Sequence, residues 1–190
     1  MAIGDVSGHG ISSALLMATV RSSLRQRASL PGSIANIISD VNRQLAQDVE
    51  DSGQFMTMFF LVLDTATRQL EWVRAGHDPG IVYNPGSDAF SELGGPGIAL
   101  GVEAEWDYED NKKTDFSNGQ IIFLSTDGIW EARNKKGEML GKEPILNAIR
   151  QNSSSDAGQI IDAIFDILDK FIGEVKIEDD ITSVIIKMQD

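Results

Sequence analysis

Three aspartate positions fall where predicted strands end: Asp5 after Ala2-Ile3-Gly4, Asp127 after the apolar run 121–126, and the pair Asp179-Asp180 immediately before Ile181. If those strands are neighbours, their ends bring several carboxylates within a few ångströms, an arrangement too repulsive to stay ionised without cations. Hard divalent ions, magnesium or manganese, relieve such repulsion because they take carboxylate, backbone carbonyl and water oxygens as ligands. The glycine-punctuated turn after Asp5 exposes carbonyls at close range. Two such ions about 3.5–4 Å apart can share a water, lower its pKa and orient it for in-line attack on phosphorus, so no protein nucleophile is needed. Any single aspartate at a strand end is more often a turn residue or helix cap, and spacing alone does not decide between the two.

Composition narrows the chemistry. The 190-residue chain has no cysteine, which removes disulfides, thiolate zinc sites and cysteine nucleophiles. Its two histidines, His9 and His77, are too few for a histidine-rich centre, so a metal must be held chiefly by oxygen. With 29 acidic and 16 basic residues the net charge is −13, which repels nucleic acid and suits metal cations and basic protein surfaces. The longest mostly apolar run, 55–63, is far short of the roughly 20 residues a spanning helix requires, and the start MAIGDVSGHG does not read as a secretory signal. A single cytoplasmic domain over 1–190 without membrane insertion is the expectation.

These carboxylates need elements to hold them. The spacing of Ile11, Ala14, Leu15, Ala18 and Leu24 predicts a core-facing helix, broken at Leu30-Pro31-Gly32; Ser33 caps a second, with Ile34, Ile37, Ile38, Val41 and Leu45 as its apolar face. The run FMTMFFLVLD at 55–64, the turn 65–67 and a second run through Trp72 predict a buried hairpin. Shorter strands are expected around 80–84, 88–93 and 105–110, then a buried strand at 120–126. Helices follow at 142–151 and across 160–172 with Asp156 as cap, and a strand closes the chain at 181–187. This order suggests helices outside antiparallel sheets rather than repeated βαβ units.

The segment GDVSGHGISSALLM at 4–17 resembles the signature of the sporulation stage II protein E type of metal-dependent (PPM) serine/threonine phosphatases. FMTMFFLVLD at 55–64, RAGHDPGIVY at 74–83, GGPGIALGV at 94–102, LSTDGIWEARN at 124–134 and EDDITSVIIK at 178–187 follow in the family's order. The resemblance implies an α+β fold, two antiparallel β-sheets packed as a sandwich flanked by helices, with two magnesium or manganese ions at one end. It implies Asp5 as the bridging ligand, joined by the backbone carbonyl of Val6, with Asp127 and Asp179 supplying further carboxylates. Asp180, where relatives often have asparagine, is expected beside the metals or as an alternate ligand. The implied activity is hydrolysis of phosphoserine or phosphothreonine on a small regulatory protein, of the anti-sigma-factor antagonist type, in bacterial signalling, with a sensory or receiver module upstream.

The family usually carries further strands before GDVSGHG, with a Gly-Gly-Asp motif whose aspartate helps hold the metals, and this sequence begins after that point. The expectation is therefore a catalytic domain shortened at its amino-terminus, weak or inactive, with an exposed sheet edge open to pairing between chains as a homodimer. The alternative is a non-catalytic pseudophosphatase that binds a phosphoprotein or its kinase. His9 is a candidate general acid because histidine titrates near neutral pH; it lies two residues beyond Ser7, which takes the place of the proposed acid in the wider family, and a histidine between glycines is more often a turn former. His77 is read as a turn residue packing near the site. A nucleotide loop is disfavoured, because Gly8-His9-Gly10 lacks a third glycine and a following lysine.

Overall fold

The computed structural model of the protein describes residues 1–177 and 179–189. Glu178, which opens the segment at 178–187, and Asp190 lie outside the described residues. The chain folds into two compact units, unit 1 formed by Met1–Pro79 and Gly94–Asp115 and unit 2 by Gly80–Leu93 and Phe116–Asp190.

Unit 1 contains strands β1 (Ala2–Val6), β2 (Met56–Asp64), β3 (Gln69–Ala75) and β6 (Asn111–Lys113), with helices α1 (Ile11–Arg27) and α2 (Ile34–Val49). The strands form an antiparallel sheet in the order β1-β2-β3-β6. The predicted hairpin is β2 and β3. Met56, Met58 and Phe60 alternate into a core with α1, α2 and Tyr108, while Phe59 and Leu61 on the opposite face are buried too. Burial on both faces is why the run is continuously apolar. In α2 the predicted face is buried throughout, and the Ser33 hydroxyl accepts from the Asn36 amide as the cap.

Two expectations fail here. Helix α1 turns Leu16, Val20 and Leu24 inward, whereas Ile11 and Leu15 are 82% and 64% exposed. Apolar residues occupy more than one face of α1, so helical spacing alone does not single out the side that packs. The segment 105–110 forms no strand; the short β6 follows it. Its period-two pattern arises because Trp106 and Tyr108 pack against the core, with the Tyr108 hydroxyl donating to the Ile98 carbonyl at 3.0 Å. Burial there pushes the Tyr108 phenol well above its ordinary range.

Unit 2 contains β4 (Gly80–Asn84), β5 (Ala89–Leu93), β7 (Ile121–Ser125) and β8 (Ser183–Lys187), in the antiparallel order β5-β4-β7-β8. Its helices are α3 (Gly128–Glu131), α4 (Lys142–Gln151) and α5 (Ala157–Ile172). Their apolar faces, including Ile145, Ile149, Ile160, Ile164 and Leu168, pack on Ile81, Tyr83, Ile121 and Phe123. Asp156 begins α5 in a full capping box with Gln159. The serine-rich link between α4 and α5 is tied to β8 by Lys187, whose ammonium donates to the Ser153 and Ser155 carbonyls at 2.8 and 2.6 Å. The chain thus has the two antiparallel sheets with flanking helices, and among the described residues no helix is long and apolar enough to cross a membrane.

Candidate metal centre

In unit 1 Asp5 lies near the end of β1, half-buried and opposite Thr57 of β2. The Thr57 hydroxyl stands 3.5 Å from the Asp5 carbonyl and 2.9 Å from Nδ1 of His77. His77 is buried at 4% exposure. It is therefore more than a turn former: it packs against the strand that backs Asp5. The Arg74 guanidinium donates to the His77 carbonyl, and also to the Gly95 carbonyl at 3.2 Å, which holds the 74–77 loop against 95–99. Gly76, at φ +70°, makes that approach possible, since a Cβ would lie 2.6 Å from the Ala99 nitrogen.

Val6 closes β1 opposite Met56, and the chain turns at once. Ser7 fixes the turn, its amide donating to the Phe55 carbonyl and its hydroxyl accepting from the Phe55 amide, both at 2.9 Å. The Ser13 hydroxyl donates to the Ser7 carbonyl from the first turn of α1. Gly8 and Gly10 both have positive φ, and His9 between them is exposed. The site of the candidate acid is thus a solvent-facing turn, with Ser7 engaged by the backbone of residue 55.

In unit 2 Asp127 and the 179–182 segment are brought together. Strand β7 pairs with β8, and beyond it the Thr126 amide donates to the Thr182 carbonyl at 3.0 Å. The Thr126 hydroxyl donates to the Asp180 carbonyl at 3.1 Å and accepts from the Thr182 amide at 3.0 Å. Ser125 donates to the same Thr182 carbonyl at 2.8 Å. Gly128 completes the lock: a Cβ there would stand 2.7 Å from the Asp180 carbonyl oxygen. Sequence reasoning misses these hydroxyls and this glycine as site residues, because partners that are backbone carbonyls leave no paired side chain to find.

Asp127 is exposed although residues 121–126 and 128–130 are all buried. It occupies the N-cap of α3, yet its side chain makes no capping hydrogen bond; its main-chain carbonyl serves the turn by accepting from the Trp130 and Glu131 amides. The capping role that most often explains such a residue is therefore not what this carboxylate does. Asp179 is exposed, and one carboxylate oxygen accepts the Asp180 amide at 2.8 Å. Beside Gly128 and Asp179 runs a groove of about 340 Å³, bordered by Arg133 and Lys176.

The donor set, carboxylates and a strand-end carbonyl, is chemically suited to magnesium or manganese. Among the described residues no three histidine, aspartate or glutamate side chains gather closely enough to hold an ion. What the structure assembles is, in unit 2, the 126–128 turn that carries Asp127 against the 180–182 backbone that follows Asp179, and, in unit 1, the Asp5, Thr57 and His77 arrangement.

Comparison with known proteins bears on family and fold. The family model described as Stage II sporulation protein E (SpoIIE) matches residues 1–189. Phosphoserine phosphatase RsbU of Bacillus subtilis (strain 168) is 28% identical over 187 residues, covering 98% of this chain and 55% of that protein. The chain spans 32% of the length of two further curated relatives. Among solved structures, the SiaA-PP2C domain of Pseudomonas aeruginosa is 21% identical with a TM-score of 0.86, over 99% of this chain and 75% of that one. RsbX in complex with magnesium has 18% identity and a TM-score of 0.66, over 97% of this chain and 78% of its own. At these identities the structural likeness establishes a shared fold.

Proposed function

Because the chain belongs to the stage II sporulation protein E family of PPM (PP2C) phosphatase domains, we propose that it hydrolyses phosphoserine or phosphothreonine on a regulatory protein in a metal-dependent reaction. The observation that carries this reading is Asp127: an exposed carboxylate at the end of a buried strand, not used as a cap, with the 179–182 segment locked alongside. We assign Asp127 and Asp179 in unit 2 as candidate manganese or magnesium ligands, and, within unit 1 taken by itself, Asp5 and the Val6 carbonyl as candidate ligands of the same hard ions. Asp180 acts through its carbonyl, which fastens the segment to Thr126 and leaves its own carboxylate as an accessory. When bound, such ions supply charge stabilisation at phosphorus and a more acidic water.

The protein's own contribution is positional. The Ser125 and Thr126 hydroxyls fix the backbone that presents Asp179, and the Ser7 hydrogen bonds fix the turn after Asp5. Exposed His9 is within the same turn and is the candidate to protonate the leaving serine oxygen. The substrate class we favour, a small phosphorylated regulator in a bacterial cytoplasmic signalling system, rests on the phosphoserine phosphatase RsbU as relative.

The test is manganese-dependent phosphate release from a serine phosphopeptide. Release that requires manganese and falls at least about a hundredfold in Asp127→Asn supports the reading. Absence of release at saturating manganese, with the phosphopeptide still bound, would replace it with a binding module.

A further inference from the structure

Acidic residues outnumber basic ones by 29 to 16 over the whole chain, yet one groove of unit 2 reverses that balance. A depression of about 500 Å³ lies between the turn after α3 and the end of α5, and among the described residues its charged lining is Lys135, Lys136 and Lys170 against Glu174. It shares Ile172 and Val175 with the groove that borders Gly128 and Asp179, where Arg133 and Lys176 face Glu131 and Asp179. The two grooves therefore adjoin at apolar Ile172 and Val175, with the lysines on one side of that boundary and Asp179 on the other.

The backbone that carries Lys135 and Lys136 is held in place, and their ammonium groups are not neutralised. The Asn134 side-chain oxygen accepts from the Lys136 and Glu138 amides at 2.9 and 3.1 Å, and its nitrogen donates to the Glu138 carboxylate at 2.8 Å. Arg133 closes the turn by donating to the Gly137 carbonyl at 2.7 Å. Lys135, Lys136 and Lys170 are exposed, and none forms an ion pair with a described residue. A turn whose backbone is fixed by its own hydrogen bonds presents unpaired ammonium groups to an anionic partner, and the ordering left to be done on binding is that of the lysine side chains. In a chain of net charge −13, a local basic patch also sets the orientation in which an acidic protein approaches.

We propose that this groove docks an acidic segment flanking the phosphorylated serine of the substrate protein, a reading that rests on the phosphatase function above. The acidic flank lies against Lys135, Lys136 and Lys170, the chain crosses Ile172 and Val175, and the phosphoserine reaches the Asp179 end. The lysines set specificity and take no part in the chemistry.

The experiment compares two synthetic phosphoserine peptides of equal length, one flanked by Glu and Asp and one by Gly and Ser, with p-nitrophenyl phosphate as a small substrate. For the parent chain the acidic peptide has a KM lower by roughly tenfold, and the difference vanishes at about 1 M salt, where screening reaches about 3 Å. In the variant carrying Lys135→Glu, Lys136→Glu and Lys170→Glu the preference is abolished, while kcat and turnover of p-nitrophenyl phosphate stay at the parent level. Lys135→Gln, Lys136→Gln and Lys170→Gln together give an intermediate KM. Equal KM for both peptides in the parent chain would overturn the proposal. Should no substrate turn over, the phosphatase reading fails by itself, and docking is read from fluorescence anisotropy of the labelled acidic peptide: tighter binding to the parent than to the charge-reversed variant supports it, and equal binding ends it.

Discussion

The Thr126 hydroxyl donates to the main-chain carbonyl of Asp180 at 3.1 Å, so the residue that precedes one candidate metal ligand fixes the residue that follows another. The same oxygen accepts the Thr182 amide, and Thr126 is buried at 3% exposure. Position in this part of the site is set by a hydroxyl that a sequence motif alone would rank as a spacer.

Thr126→Val removes both bonds and leaves the Thr182 amide and the Asp180 carbonyl, in a partly buried setting, without this partner. The expected loss is about 1–3 kcal/mol of stability, read from urea denaturation, with Thr126→Ser close to the parent. Equal midpoints for Val and Ser would show that the lock contributes nothing.

Gly128→Ala drives a methyl group to within 2.7 Å of the Asp180 carbonyl oxygen. Backbone on both sides must give way, at about 1–3 kcal/mol. Thermal melting checks this, and an unchanged midpoint would mean that the two segments separate freely.

The facing of α1 is tested by a pair of truncations. Leu16→Ala empties a core position and is expected to cost about 2–4 kcal/mol, whereas Leu15→Ala, at a position 64% exposed, stays within about 0.5 kcal/mol. The reverse order in chemical denaturation would restore the packing face expected from the spacing.

Asp88 gives a pH dependence with a definite sign. Its carboxylate accepts from Arg150 Nε at 2.7 Å and from the Tyr83 hydroxyl at 3.0 Å, and the guanidinium bond above all holds its pKa below the usual aspartate range. Burial, reinforced by the Asp88 charge, pushes the Tyr83 phenol upward. A depressed folded-state pKa means that Asp88 stabilises the fold above its unfolded pKa, about 3.9, and loses that contribution as pH falls through the folded value. The melting temperature of the parent chain is expected to fall more steeply than that of Asp88→Asn as pH is lowered from about 5 to about 2. Parallel curves would remove Asp88 from the acid response.

Much of this fold was legible because its signals coincide. In α2, cap and periodicity agree: Ser33 bonds the Asn36 amide, and Ile34, Ile38, Val41 and Leu45 all turn inward. Asp156 and Gln159 mark the start of α5 equally well. In α1 apolar residues lie on more than one side, so spacing predicts the helix without fixing its face. At 105–110 alternation reports which side chains are buried, and nothing in that pattern tells whether the segment joins a strand ladder, which it does not. The carboxylates Asp5, Asp127 and Asp179 stood out by type and place. Thr57 with His77, and Thr126 with the Asp180 carbonyl, did not, since pairings across 20 and 54 residues are made by folding rather than by spacing.

The ammonium of Lys187 bonds two carbonyls of the Ser153–Ser155 link from the last residue of β8. Loosening either segment costs these two bonds, which couples the opening of the link to that of β8. A connector rich in serine, which by composition would be an early stretch to yield to a protease, thereby has two charge-assisted bonds to a strand that its cleavage would have to break.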